Sequence, residues 1–170
     1  MISADFRQQV ALRDFQLLIL GIARDTNDLH AVEQRLRQRP GFLLRRCLQD
    51  TSSTFENGCS EVGITMRQYD YLFVLAQVEM TTQSEISQLL GIDRSTNTLV
   101  LRILEKKGLA ERWNHPHDSR KKCVRITDAG RTAFNQTYES ARLAAAKLLE
   151  PLSPKESEQF LSLLGKLVDR

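Results

Sequence analysis

Apolar residues recur every three or four positions along most of the chain, and this spacing predicts amphipathic helices. In the first half of the chain, helices are predicted for residues 6–23, 31–39, 42–59 and 66–78. We expect the second helix to stop at Pro40-Gly41, because a proline disfavours helical geometry in the residue before it. Thr65 is placed to cap the fourth helix. The first half is therefore predicted to consist of helices and the loops between them.

Two short helices joined by a tight turn follow. Thr82 and Glu85 have the spacing of a capping box, in which each side chain bonds the backbone amide of the other residue. The helix that they open is expected to end at Gly91, and Asp93 caps the next helix, which runs to Lys107. Helices of about 8 and 14 residues with a three-residue turn between them have the proportions of a helix-turn-helix.

The pattern changes to strands after residue 108. Short apolar stretches at 109–113 and 123–126 predict a β-hairpin. The polar segment 114–119 between them contains a proline and is too long for a two-residue turn. Thr127 caps a long helix to about Glu150, and a last helix opens after Ser153 with a proline in its first position. The predicted fold class is mainly α with a small β-hairpin wing, a winged helix-turn-helix.

The remaining long helices are assigned to dimerisation. Helices 42–59 and 127–150 and the apolar stripe of the last helix present more apolar surface than one winged helix can cover, and such a surface usually associates. The predicted organisation is a helical extension, dimerisation helices at both ends, and the winged helix-turn-helix between them. Their ranges are 1–39 for the extension, 40–64 and 127–170 for the dimerisation helices, and 65–126 for the winged helix-turn-helix.

Charge is concentrated where the helix-turn-helix meets the hairpin. Residues 94–125 hold nine basic and three acidic side chains, although the net charge of the whole chain is only +3. A basic patch of this kind is the usual footprint of a polyanion partner, while a solvated basic face with no partner is the alternative. Residues 40–93 are acidic, which disfavours an architectural protein that binds DNA without sequence preference.

The second helix of the helix-turn-helix carries the residue types that read DNA. A helix of this length fits the major groove, where base edges present distinct hydrogen-bonding patterns. Arg102 is the best candidate for a bidentate contact with guanine, and Asn97 either reads an adenine or lies against the preceding helix. Amides exposed at the start of the helix favour phosphate. The side opposite the core residues Val100, Leu101 and Leu104 presents Arg94, Ser95, Thr98 and Arg102.

The ordered motifs of residues 42–168 resemble the MarR family of transcriptional regulators. They are Ser84-Glu85-Ile86, Leu89-Leu90-Gly91-Ile92-Asp93-Arg94-Ser95-Thr96, Leu104-Glu105-Lys106-Lys107-Gly108-Leu109, Arg112, Asp118-Ser119-Arg120 and Ile126-Thr127-Asp128-Ala129-Gly130. The resemblance implies a homodimer whose first and last helices form the dimer interface and whose two reading heads bind a pseudopalindromic operator in double-stranded DNA. It also implies repression that a small phenolic or aromatic carboxylate ligand relieves. Residues 1–39 are additional to the usual pattern of the family.

The same resemblance places Asp118 and Arg120 in the wing, with Arg120 in the minor groove. Combined with the reading helix, it completes the set of candidate DNA contacts. These are Ser84, Arg94, Ser95, Thr96, Asn97, Thr98, Arg102, His117, Asp118, Arg120 and Lys121.

Two modes of sensing are considered. The segment 40–46 is similar to the helix start in regulators of aromatic and heterocyclic acid catabolism, so Arg45 or Arg46 is a candidate partner of a ligand carboxylate. Tyr69 or Tyr71 is a candidate for lining the effector cavity. The alternative is thiol-based redox sensing by Cys47. The peroxide-sensing branch has its cysteine near the position of residue 41, where no thiol exists, and Cys47 falls within a turn or two of it.

Other classes find less support. The chain has no glycine-rich phosphate loop, no Gly-x-Ser-x-Gly and no His-Glu-x-x-His, so neither an enzyme nor a cofactor is predicted. His115 and His117, with Asp118 or Cys123, are the only combination considered for a transition metal, and phosphate contact or solvent exposure is the preferred interpretation. The three cysteines form no Cys-x-x-Cys pair. No apolar run reaches 18 residues and no signal peptide is evident, so we expect a cytoplasmic protein without a membrane partner.

Overall fold

In the computed structural model of this chain, residues 29–116 and 118–168 are described. They divide into two units, one up to Asp50 and the other from Thr51 onward. The helices are α1 (Leu29–Arg37), α2 (Pro40–Gly58), α3 (Met66–Ala76), α4 (Gln83–Leu90), α5 (Arg94–Lys106), α6 (Asp128–Leu149) and α7 (Pro154–Val168). The strands are β1 (Thr81–Thr82), β2 (Ala110–His115) and β3 (Asp118–Ile126). The helix predicted at 6–23, like the extension to residue 28, lies outside the described residues.

Local hydrogen bonds fix the helix starts where the sequence predicts them. The hydroxyl of Thr65 accepts from the amide of Gln68 at 3.3 Å. Thr82 and Glu85 form the predicted capping box, and Gly91 ends α4 in a left-handed conformation with φ of 61°. As predicted, the helix α1 stops before Pro40, with its last residue at Arg37, and α2 begins at Pro40, two residues earlier than expected. A proline is well suited to the first helical position, because the amide that it lacks has no partner within the helix there.

The wing is a three-stranded antiparallel sheet in the order β1-β3-β2. Strand β1 pairs Thr81 with Val124 and Thr82 with Cys123, and sequence patterning gave no sign of so short a strand. The predicted long polar loop was also wrong, since β2 and β3 pair as far as His115 and Asp118. The reason is that the outer part of the wing faces solvent, as the exposed Asn114 and Lys122 show, so its strands need no apolar alternation.

The core of the second unit lies where α3 and α6 pack against each other and against the helix-turn-helix. Its fully buried side chains include Phe55, Tyr71, Leu72, Leu75, Ile86, Leu101, Leu104 and Val124. Gly130, in the first turn of α6, approaches the wing closely: a Cβ atom there would clash with the carbonyl oxygen of Leu109 and lie 2.8 Å from Cγ1 of Ile126. The start of α6 is thus held directly against the base of β2 and β3.

Helix α7 and the first part of α2 keep apolar side chains exposed. No residue of α7 is buried, and Leu161, Leu163 and Leu167 are each more than half exposed. In α2, Leu43, Leu44 and Leu48 are exposed as well. These stripes are uncovered within the single chain, which is the condition for the association that the sequence predicts. Among the described residues, every helix is too short or too polar to cross a membrane.

Candidate nucleic-acid interface

Helix α5, the second helix of the helix-turn-helix, has one face in the core and the other in solvent. Val100, Leu101 and Leu104 are buried, as predicted. Arg94, Ser95 and Arg102 are exposed, while Thr96 and Thr98 are half-buried. On the preceding helix α4, Ser84 is exposed too. The polar residue types of a reading helix therefore do lie on its accessible side.

The start of α5 is capped by Asp93. Its carboxylate oxygen Oδ1 accepts from the amides of Ser95 and Thr96 at 2.9 and 3.0 Å, and from the hydroxyl of Ser95 at 2.5 Å. These hydrogen bonds, that of the Ser95 side chain first, lower the pKa of Asp93 below its usual range. The amides at this helix start were expected to favour phosphate, and the cap occupies two of them, those of Ser95 and Thr96. Ser95 retains the acceptor capacity of its hydroxyl.

Asn97 belongs to the core and not to the reading surface. Its side chain is 1% exposed, and Nδ2 donates to the backbone carbonyl of Gln83 at 2.6 Å. One residue further, the Thr98 hydroxyl accepts from Nε2 of Gln83 at 2.8 Å and donates to the carbonyl of Arg94. Of the two interpretations of Asn97, the structure supports the one in which it lies against the preceding helix. Gln83 thereby ties the start of α4 to the middle of α5.

The wing presents cations to solvent. Arg120 is 89% exposed, and its backbone amide and Nε donate to Oδ1 of Asp118 at 3.1 and 3.2 Å. The Arg120 side chain is the main cause that lowers the pKa of Asp118. Lys121 is exposed, and Lys122 donates to Oδ1 of Asn114 at 2.6 Å. His117, also predicted here, lies outside the described residues.

An open groove of about 670 Å³ lies between the helix-turn-helix and the wing. Five of its lining residues are cationic and one is acidic. The acid, Glu105, is already ion-paired with Arg112 of β2. The groove residues are Gln83, Ser84, Ser87, Arg94, Asn97, Thr98, Arg102, Glu105, Arg112, Arg120 and Lys122.

Sequence reasoning assigned five of these residues no contact: Gln83, Ser87, Glu105, Arg112 and Lys122. Ser87 follows Ser84 by three residues, which places both on one helix face, so helical periodicity was a usable signal. Arg112 gives no such signal, because its position depends on how β2 packs beside α5. The structure therefore adds Lys122, and Arg112 in its ion pair with Glu105, to the surface that the basic segment predicted.

The residues predicted to bind an effector differ in exposure. Arg45 and Arg46 are exposed on α2, where the Arg45 guanidinium lies 5.8 Å from the centre of the Phe42 ring. Tyr71 is fully buried, and its hydroxyl has no hydrogen-bond partner among the described residues. It therefore lies in the core and does not line an open cavity. Tyr69 is 8% exposed, and burial raises the pKa of both tyrosines.

Tyr69 is part of an aromatic cluster that sequence reasoning did not find. Its ring stacks on Phe134 of α6 with 5.5 Å between centres, and Phe55 lies 5.3 Å away. Phe73 and Tyr138 contact Phe134 edge-on and are 47% and 53% exposed. An accessible aromatic edge thus adjoins the buried Tyr69. The signal was the i, i+4 spacing of residues 69 and 73 and of residues 134 and 138.

The thiols and histidines show no assembled metal centre. Within 29–116 and 118–168, no three residues among the histidines, cysteines, aspartates and glutamates lie close enough together to hold a metal ion. Cys59 and Cys123 are buried, whereas Cys47 is half-buried.

Together these elements define a winged helix-turn-helix with a cationic groove beside its reading helix. The model of the MarR family matches residues 64–122. A probable transcriptional regulator from Pseudomonas aeruginosa is 32% identical, with a TM-score of 0.72, and the match covers 78% of this chain and 98% of that one. The chain belongs to the MarR family: it is a transcriptional regulator and not an enzyme.

Two further solved structures are similar. A MarR variant from E. coli complexed with operator DNA is 25% identical, with a TM-score of 0.69, over 75% of this chain and 91% of that one. BpsR from Bordetella bronchiseptica, whose DNA binding is regulated by 6-hydroxynicotinic acid, is 25% identical, with a TM-score of 0.72, over 78% and 94%. The regulator YdgJ of Bacillus subtilis is 27% identical over 62% of this chain, which spans 64% of that relative's length.

Proposed function

We propose that this regulator is a homodimeric repressor that binds a pseudopalindromic operator through α5 and the wing and leaves it when a small aromatic acid binds. The observation that carries the DNA-binding part is the groove beside α5, where Glu105 pairs with Arg112 and four further cationic side chains remain in excess. Such a surface neutralises phosphates and releases their counterions. The E. coli MarR complex with operator DNA supports the same use of this fold.

The exposed polar residues divide into readers and anchors. Arg102 lies on the accessible face of α5 and is the proposed base reader, since a guanidinium forms two hydrogen bonds with guanine. Arg120 and Lys121 at the wing are proposed to contact phosphate or the minor groove. Arg94, Ser84 and the hydroxyl of Ser95 are proposed backbone contacts, with Thr96 and Thr98 behind them. His117 remains a proposed wing contact, whereas Asn97 is withdrawn.

The dimer is proposed from the uncovered apolar stripes of α7 and α2. Leucines that are half exposed along a whole helix usually mark an interface. Residues 40–64 and 127–170 are assigned to it, and residues 65–126 to DNA binding. Two-fold symmetry then requires an operator with two half-sites about one helical turn apart.

The effector is proposed to be an aromatic carboxylate. The half-exposed edges of Phe73 and Tyr138, next to Tyr69 and Phe134, offer ring faces on which an aromatic ligand stacks. Arg45 and Arg46, in the first unit, are exposed cations and remain candidate partners of the carboxylate. The regulation of BpsR by 6-hydroxynicotinic acid supports this ligand class.

The operator function is tested by selecting sequences from random double-stranded DNA with the full-length protein and measuring their affinity against unrelated competitor. A regulator prefers its site by roughly a thousandfold or more. Sedimentation of the free protein is expected to give twice the chain mass. Equal affinity for selected and unrelated DNA contradicts the proposal, and so does a monomer at micromolar concentration.

The release step is tested with 6-hydroxynicotinic acid and benzoic acid, using cyclohexanecarboxylic acid as a control of equal charge without an aromatic ring. The aromatic acids are expected to weaken operator binding, and DNA is expected to weaken acid binding by the same factor. Phe73→Ala is expected to lose the response and to keep DNA affinity. If all three acids are without effect while Cys47→Ser abolishes a response to hydroperoxide, the redox alternative replaces the ligand model.

A further inference from the structure

Leu99 is an exposed apolar side chain in the middle of the reading helix. It is 59% exposed, although its neighbours Val100 and Leu101 are buried in the core. Single exposed leucines are common on protein surfaces and need no explanation of their own. The position of Leu99 among its neighbours is what gives it significance.

Helical geometry places Leu99 on the outermost line of α5. Ser95 lies four residues before it, Arg102 three residues after it and Lys106 seven residues after it, so all four side chains share one helix face. Ser95, Arg102 and Lys106 are exposed like Leu99. This line faces away from the core side of α5, and Arg102 is the residue that it shares with the cationic groove. Leu99 is the apolar member of an otherwise polar reading face.

In the major groove, thymine alone among the four bases presents a methyl group. A leucine cannot satisfy the hydrogen-bonding groups of the other bases, and covering them leaves them without water or a partner. We propose that Leu99 contacts the 5-methyl group of a thymine and so sets a preference for thymine at one position of each half-site. This inference rests on the proposed operator function, and it adds a specificity residue that reads by apolar contact.

The position of this thymine is constrained by Arg102. Leu99 and Arg102 are three residues apart, which is about 4.5 Å along the helix axis. Successive base pairs are about 3.4 Å apart. The thymine read by Leu99 is therefore expected within one or two base pairs of the position whose preference depends on Arg102.

The test replaces thymidine by deoxyuridine, which removes only the methyl group and keeps every hydrogen-bonding atom of the base. The probe is the duplex that the full-length wild-type protein selects from random double-stranded DNA. Each thymine of that duplex is replaced in turn, in one half-site and then symmetrically in both. The variant is Leu99→Ala, and the matched control is Leu89→Ala, because Leu89 is a 70% exposed leucine that lies on α4 and not on the reading helix.

The wild type is expected to bind about fourfold more weakly when one particular thymine is replaced, which is the loss for one buried methyl group. Replacing the symmetric pair is expected to weaken binding about sixteenfold. Leu99→Ala is expected to bind the parent duplex more weakly and to bind thymine and uracil equally at that position. Leu89→Ala is expected to keep the wild-type response. Unchanged thermal melting of Leu99→Ala shows that the fold is intact.

The inference is overturned if the wild type tolerates uracil everywhere, if the selected duplex contains no thymine near the Arg102 position, or if Leu99→Ala keeps the full response. Failure of the operator function looks different. In that case the selection enriches no sequence at all, and both the function and the role of Leu99 fall together.

Discussion

Glu105, in the last turn of the reading helix α5, forms an ion pair with Arg112 in the first long strand of the wing. The Arg112 side chain is only 16% exposed and that of Glu105 34%. Nε of Arg112 is buried and has no hydrogen-bond partner among the described residues. The charge of the guanidinium is balanced by Glu105. The pair joins the two parts that border the groove, and it is therefore suited to hold the wing beside the helix.

Glu105→Gln is expected to lower the free energy of unfolding by about 1–3 kcal/mol, because it leaves a largely buried guanidinium without a counterion. The control is Glu111→Gln, which removes an ion pair with Arg125 whose side chains are 46% and 56% exposed. That change is expected to cost less than about 1 kcal/mol. Urea unfolding of both variants measures the difference. Equal losses would show that the Glu105–Arg112 pair contributes no more than a surface pair does.

Arg120 and Arg102 are predicted to fail in different ways. Arg120→Ala removes a phosphate or minor-groove contact, so it is expected to weaken all sequences alike and to reduce the log–log salt slope by about one. Arg102→Ala is expected to cost about 1–3 kcal/mol of binding free energy and to relax the preference at one position of each half-site. Salt titrations and repeated selection with each variant test this. Two variants with the same profile would contradict the division into anchor and reader.

Asn97 is predicted to act on stability and not on base preference. Asn97→Ala removes the hydrogen bond to the Gln83 carbonyl and is expected to lower the free energy of unfolding by about 1–3 kcal/mol. Ser84→Ala, at an exposed position of α4, is expected to stay within about 0.5 kcal/mol of the parent. Urea unfolding and DNA selection are measured on the same preparations. A stable Asn97→Ala that loses a preference for adenine would restore Asn97 as a reader.

The sequence predicted best the features that depend on residues close together in the chain. The cap at Asp93 and the capping box of Thr82 and Glu85 are formed within three residues, so their spacing alone identifies them. The buried face of α5 follows from helical periodicity in the same way. The helix-turn-helix and most helix bounds were therefore predictable without a structure.

The features that were missed depend on contacts between distant segments. Strand β1 exists only because Thr81 and Thr82 pair with residues about forty positions later in the chain. Asn97 has a polar side chain, and only the carbonyl of Gln83, fourteen residues earlier, makes its burial favourable. Arg112 enters the groove through the packing of β2 beside α5. Patterns of single residues carry no information on such pairings.

Gly130 is predicted to be required by close packing. Gly130→Ala places a Cβ atom against the Leu109 carbonyl and Ile126, and it is expected to destabilise the fold by about 1–3 kcal/mol. The matched control is Gly165→Ala in α7, where a Cβ atom has nothing within 4 Å in the single chain. Because α7 belongs to the proposed dimer interface, sedimentation checks that this variant is still a dimer. That change is expected to stabilise by about 0.5–1 kcal/mol through helix propensity. Thermal melting distinguishes them, and a Gly130→Ala variant as stable as the parent would show that α6 shifts at no cost.

Asp93 links the start of the reading helix to pH. Its pKa is lowered in the folded protein by hydrogen bonds from Ser95 and Thr96, so folding favours the ionised carboxylate. The stabilisation is complete above the unfolded pKa of about 3.9 and is lost as the pH falls through the lower folded value. Asp93→Ser keeps a capping oxygen that does not titrate, and it is expected to match the parent near neutral pH.

Other carboxylates of lowered pKa, such as Glu85, remain in both proteins. The informative quantity is therefore the difference between the two unfolding free energies, measured in urea from neutral pH downward. This difference is expected to be flat above about pH 5 and to shift in favour of Asp93→Ser below about pH 4. Two curves that stay parallel throughout would mean that the cap contributes no pH dependence.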